Sequence, residues 1–137
     1  MVGALSLCAE ATGDRALAQR ALELARGAAT HRPEPEDATL CHGAAGLCLM
    51  FNRMFQRTGD PVLRDGAAYW AGRALAKLRP GEGVGGFAAW RPWEDREHPW
   101  AADPGLAVGA AGAALALLAA ASDVEPEWDR ALLLSVR

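Results

Sequence analysis

Gly43-Ala44-Ala45-Gly46 recurs as Gly109-Ala110-Ala111-Gly112, 66 residues further along the chain, each time opening an apolar helix. Thr12-Gly13-Asp14 likewise recurs as Thr58-Gly59-Asp60, 46 residues on, each time joining an apolar helix to an amphipathic one. The repeating unit is therefore an inner helix followed by an outer helix, and such units bury their faces only against neighbours. About two and a half units are present, so the expected fold is all-α, a slice of a helical array. In such a slice the apolar faces of residues 1–11 and 106–121 would lie uncovered.

Composition agrees with this reading. Of 137 residues, 31 are Ala and 18 Leu, none is Ile, and Val plus Thr total 10, so the β-branched residues that suit pleated sheets are scarce. Helices are expected over 15–29, capped by Asp14, over 43–57, over 61–78 with Asp60 and Pro61 at its start, and over 106–122. The buried face of the third would carry Leu63, Ala67, Trp70, Ala74 and Leu78. Pro33 and Pro35 separate the first two units, since proline cannot continue a helix. Residues 79–104 read as a long irregular segment, either a loop pinned by Trp90, Trp93 and Trp100 or an aromatic surface for a partner.

The charge balance excludes some partners. Fourteen Lys and Arg against 17 Asp and Glu leave a net charge of −3, without the positive excess that phosphate neutralisation needs. Nucleic acid is not an expected partner. Residues 105–121 carry no charge, but nine of the 17 are Ala and three Gly, and the flanks hold Asp103, Asp123 and Glu125 with no basic anchor. A buried helix is expected there, not a membrane span. Three cysteines, Cys8, Cys41 and Cys48, without framework spacing and without an export signal at Met1, suit a reducing, cytoplasmic compartment.

Cys41-His42 stands at the mouth of the helix opened by Gly43. Thiolate and imidazole both ligate zinc, and neighbouring residues at a helix start can project toward one point; a chance pairing is the competing reading. Cys48 further along the same helix reads as a small buried apolar residue. Gly81-Glu82-Gly83-Val84-Gly85-Gly86 has the spacing of a dinucleotide fingerprint, but it follows a helix and a proline, not a strand, and reads as a flexible turn. His31 and His98 fall in polar, proline-bordered loops as solvated side chains, with a place at a cavity rim the alternative for His98. Asp103 reads as the start of the last helix. Where the second copy has Cys41-His42 the third has Ala107-Val108, so that copy is structural.

Leu40-Cys41-His42-Gly43-Ala44-Ala45-Gly46-Leu47, continuing through Phe51-Asn52-Arg53-Met54-Phe55 to Thr58-Gly59-Asp60, resembles the zinc-site region of lanthionine synthetase C-like proteins, the lanthipeptide cyclases. Trp100-Ala101-Ala102-Asp103-Pro104-Gly105-Leu106 and Trp128-Asp129-Arg130-Ala131-Leu132-Leu133-Leu134-Ser135 are similar to that family's C-terminus. The resemblance runs over residues 1–137 and covers about the last third of a usual member.

That resemblance implies part of an α/α toroid with zinc in its central cavity. The family holds zinc by two cysteines and one histidine, and Cys41 and His42 match the second cysteine and the histidine. The other cysteine lies in a Cys-Tyr-Gly-Asp-Pro-Gly type stretch, which the 46-residue repeat places upstream of Met1; Cys8 falls opposite Met54, inside a helix. The implied activity is addition of precursor-peptide cysteine thiolates to dehydroalanine or dehydrobutyrine, forming thioether rings. This chain is expected to be inactive alone, and its catalytic residues, the proton donor included, are not assigned. The implied partners are a dehydrated precursor peptide, a dehydratase and the N-terminal part of the toroid. The alternative is a non-catalytic helical-repeat module that binds a peptide or partner protein.

Overall fold

The computed structural model describes residues 2–132. Five α-helices, α1 (Val2–Thr12), α2 (Arg15–Thr30), α3 (Ala44–Thr58), α4 (Pro61–Ala76) and α5 (Ala110–Ala121), account for most of it, with a 3-10 helix at Glu127–Leu132. The fold is all-α, as composition predicts. Met1 and Leu133, Leu134 and Ser135 of the C-terminal resemblance lie outside the described residues.

Local chemistry explains the helix ends. Asp14 accepts hydrogen bonds from the Ala16 and Leu17 amides at 2.9 and 3.0 Å and so starts α2. Gly59, at φ 69°, ends α3 in the left-handed region and donates its N–H to Phe55 O at 2.7 Å. Asp60 then caps α4 by accepting from the Val62 N–H at 2.9 Å, with Pro61 in the first helical position.

The helices pack as successive hairpins: α1 on α2 and α3 on α4, with α3 also against α5 and α2 also against α4. Ala21, Ala25 and Ala29 form the buried stripe of α2, so this helix approaches its neighbours closely. From α4, Leu63, Ala67, Trp70 and Ala74 enter the core as their spacing predicts. Leu78 lies beyond the helix end and stays 38% exposed. Polar ties join distant segments: buried Asn52 donates to Ala119 O at 3.0 Å, and Arg53 pairs with the buried Asp129 carboxylate at 2.8 Å. Ala113 and Ala116 are buried on α5, while Leu118 on its other side is 61% exposed, an apolar face without a cover. Among the described residues, no helix is long and apolar enough to cross a membrane.

Two further features depart from the sequence expectation. The last helix begins at Ala110, not 106, because residues 103–109 fold into a turn in which the Ala110 N–H donates to Asp103 O at 2.8 Å. The segment 79–104 is not wholly irregular, since β1 (Ala89–Trp90) and β2 (Trp100–Ala101) pair antiparallel, Ala89 opposite Ala101 and Trp90 opposite Trp100. The glycine-rich stretch is a tight turn: Gly81, Gly83, Gly85 and Gly86 all have positive φ, and Val84 bridges Phe87.

Asp60 also binds Arg26, at 2.6 Å, tying α2 to the start of α4. Burial raises its pKa, but the Arg26 guanidinium and the Val62 and Leu63 amides outweigh burial and hold the carboxyl below its ordinary value. A lowered folded pKa means that the stabilisation is complete above about pH 4, the unfolded-chain value, and is lost as pH falls through the folded value. In urea titrations, Asp60→Asn should flatten the fall of stability with pH below about 4; an unchanged slope would assign that fall to other carboxylates.

Candidate metal centre

The turn before α3 is built on Asp37, which is 1% exposed. One carboxylate oxygen, Oδ1, accepts from the Thr39 N–H at 3.0 Å and the Thr39 hydroxyl at 2.9 Å. The other, Oδ2, accepts from the Trp90 N–H at 2.8 Å and lies 3.2 Å from His42 Nε2. The backbone of the same turn folds onto the helix, since Ala44 N–H donates to Asp37 O at 3.1 Å and Gly43 N–H to Thr39 O at 3.1 Å. No larger residue fits at two positions: a Cβ on Gly43 would stand 2.2 Å from Thr39 N, and one on Gly46 would stand 2.0 Å from Leu40 O. This close approach is the reason for the repeated glycine pair, and it places Cys41 and His42 directly before the N-terminus of α3.

Cys41 is exposed and donates its N–H to Ala107 O at 2.9 Å, so the equivalent turns of the second and third copies meet. His42 keeps 30% of its side chain exposed and meets the edge of Trp93, with ring centroids 5.6 Å apart and planes at 81°. Both residues line a cavity of about 780 Å³ whose walls are mainly apolar, with Leu7 and Cys8 from α1, Leu47 and Met50 from α3, and Ala107 from the third copy. Cys8 thus reaches the same cavity as Cys41 and His42. Even so, among the described residues no three His, Cys, Asp or Glu side chains group closely enough to hold a metal ion. The donor set fits zinc in kind, one thiol and one imidazole, and supplies two ligands.

Cys48, the cysteine of α3 itself, is chemically separate. Cys48 is wholly buried, and burial pushes its thiol up to about 11, so it stays protonated and inert as a small core residue. His98 is 83% exposed and pairs with Asp95 at 3.4 Å, away from the cavity lining, and His31 is an exposed cap at the end of α2. Of the loop tryptophans only Trp90 is substantially covered; Trp93 and Trp100 are 61% and 51% exposed.

Asp37 anchors this turn, although no motif in the sequence singles it out. The signal was present, since Asp103 stands 66 residues on, the same offset as the glycine pairs. Asp103 repeats the local geometry, accepting from the Gly105 N–H through its carboxylate and from the Ala110 N–H through its carbonyl. Its carboxylate pairs with Arg91, where the second copy has an imidazole.

A model of the family described as lanthionine synthetase C-like protein matches residues 1–133. No curated protein and no solved structure matches the chain.

Proposed function

This chain belongs to the lanthionine synthetase C-like family, and from that premise we propose that it is the zinc-donating C-terminal part of a lanthipeptide cyclase, with Cys41 and His42 as two of three protein ligands. The observation that carries this reading is the adjacent exposed Cys41 and His42 on one apolar cavity, with the imidazole braced by a buried carboxylate. The third ligand, a cysteine, would come from sequence upstream of Met1.

Zinc, when bound, keeps a substrate thiol deprotonated at neutral pH. Ring closure would be net addition of a cysteine S–H across the Cα=Cβ bond of a dehydroamino acid, sulfur bonding to the β-carbon and the α-carbon taking up a proton to replace the one the thiol gave up. This chain's part is to hold the ligands and enclose the peptide. Gly43 and Gly46 let the 37–43 turn lie on α3, which fixes Cys41 and His42 relative to each other. Leu7, Leu47 and Met50 offer apolar contact to peptide side chains and exclude water. The partners in this reading are a dehydrated precursor peptide, a dehydratase and the remaining helices of an α/α toroid, in the cytoplasm.

A non-catalytic helical module that binds a peptide is the second reading. It is favoured by the absence, among the described residues, of three donor side chains grouped closely enough to hold a metal ion. Zinc titration of this chain separates the two. Weak one-to-one binding that disappears in Cys41→Ala supports the ligand assignment, and tight binding that survives Cys41→Ala overturns it.

A further inference from the structure

We propose that the C-terminal 3-10 turn, Glu127–Leu132, is a wall that sets which apolar side chains fit beside Cys41 and His42, with Leu132 as the specificity-determining residue and Arg53 as its positioning residue. That a precursor peptide supplies those side chains rests on the zinc-donor reading above, whereas the wall itself does not. The argument starts from a charge inside a helix. Arg53 of α3 is 7% exposed, and a guanidinium so buried must be paired. It lies 2.8 Å from the Asp129 carboxylate, which is 0% exposed, and donates to the Glu125 carboxylate at 3.2 Å. Its neighbour Asn52 donates to Ala119 O at 3.0 Å, so two consecutive residues of α3 hold the end of α5 and the turn beyond it. Apolar residues of similar volume commonly match a buried ion pair in stability, so what this pair adds is a fixed position for the turn.

The geometry of the turn carries that position to the cavity. A 3-10 helix has three residues per turn, so side chains three apart share one edge. Pro126, Asp129 and Leu132 keep that spacing: the first two are buried and Leu132 is half-buried in the cavity wall, while Glu127, Arg130 and Ala131 are exposed. The Asp129 N–H donates to Pro126 O at 3.2 Å, and Trp128 packs against the core. Holding Asp129 therefore orients Leu132 as well. Leu132 shares the cavity with Leu7, Leu47 and Met50, and the volume of about 780 Å³ is that of a small-ligand pocket. The chemical class it takes is the apolar side chain flanking a substrate cysteine. A smaller residue at 132 would admit bulkier groups, and a larger one would exclude them.

The test uses the full chain and reads size selection at a cavity thiol, without metal. The protein is reacted with N-ethylmaleimide and with the bulkier N-(1-pyrenyl)maleimide, and labelling of each cysteine is followed by peptide mass spectrometry. Cys41 is exposed to the cavity and reports its size, whereas Cys48 is wholly buried and reports any opening of the core. Leu132→Ala should raise the pyrenyl-to-ethyl rate ratio at Cys41 by about tenfold, and Leu132→Trp should lower it, with Cys48 unlabelled in both. Arg53→Met should raise the ratio as Leu132→Ala does, and Arg53→Lys, which keeps the charge, should return it toward the wild-type value. A ratio unchanged in both Leu132 variants overturns the wall. Labelling of Cys48 in Arg53→Met, or a wild-type ratio there, overturns the positioning role of Arg53. If the ratio shifts as expected but tight zinc binding survives Cys41→Ala, the wall stands and the zinc-donor reading falls.

Discussion

Cys41→Ala and His42→Ala should each abolish thioether ring closure, lowering it by at least about a hundredfold, in a polypeptide extended upstream to restore the second cysteine donor. Each removes a direct ligand, and loss of an outer hydrogen bond alone commonly costs 10–100-fold. Activation of a substrate thiol needs an open metal position within an otherwise fixed site, and neither variant retains enough donors to fix it. The assay is mass spectrometry of a dehydrated precursor peptide after thiol alkylation, in which open cysteines take up label and ring cysteines do not. Residues 1–137 alone should form no rings, because among the described residues no three donor side chains group closely enough to hold a metal ion. Ring closure by this chain alone, or undiminished closure in the extended Cys41→Ala variant, would place the chemistry elsewhere. Cys48 serves as the internal control, since it is buried with a raised pKa and its replacement by Ala should leave closure intact.

The second large effect is on stability. Gly46→Ala should destabilise the chain by about 3 kcal/mol, lowering Tm by roughly 10 °C. Its Cβ would stand 2.0 Å from the Leu40 carbonyl oxygen and 2.9 Å from the carbonyl carbon. Both atoms are backbone, so relief requires the 37–43 turn to lift from α3, stretching the Gly46 N–H to Thr39 O and Ala44 N–H to Asp37 O bonds. Gly112→Ala should behave alike, because its Cβ would meet Leu106 O at 1.9 Å in the equivalent turn. Gly27→Ala and Gly72→Ala, in the interiors of α2 and α4 with nothing within 4 Å of the added carbon, should stabilise by about 0.5–1 kcal/mol. Calorimetric melts of the four variants decide the matter; a tolerated Gly46→Ala would mean that the turn does not lie on the helix as described.

Features written in short-range chemistry were legible in the chain itself. Asp14, Gly59 and Asp60 delimit α2, α3 and α4 through bonds to amides or carbonyls no more than four residues away, and Pro61 through its fixed φ, so neighbouring residue types suffice to place those ends. The glycine repeat at 43–46 and 109–112 marked the starts of α3 and α5, and Cys41 and His42 stand directly before the first of them. The start of α5 was misplaced by four residues because small apolar residues on both sides of 110 carry no end signal, and the turn is held by Asp103 through contacts that composition does not reveal.

Tertiary structure alone decided how the site is supported. Asp37 and Trp90 are 53 residues apart, and their bond exists because the β1–β2 pair packs over the turn before α3. The same packing brings Trp93 to His42, while α1 brings Cys8 to the cavity of Cys41. Hydrophobic periodicity records which face of a helix is buried, but not which distant loop lies across its end. A carboxylate in a charged loop is read as solvated until the fold removes its water and replaces it with an imidazole and a distant amide.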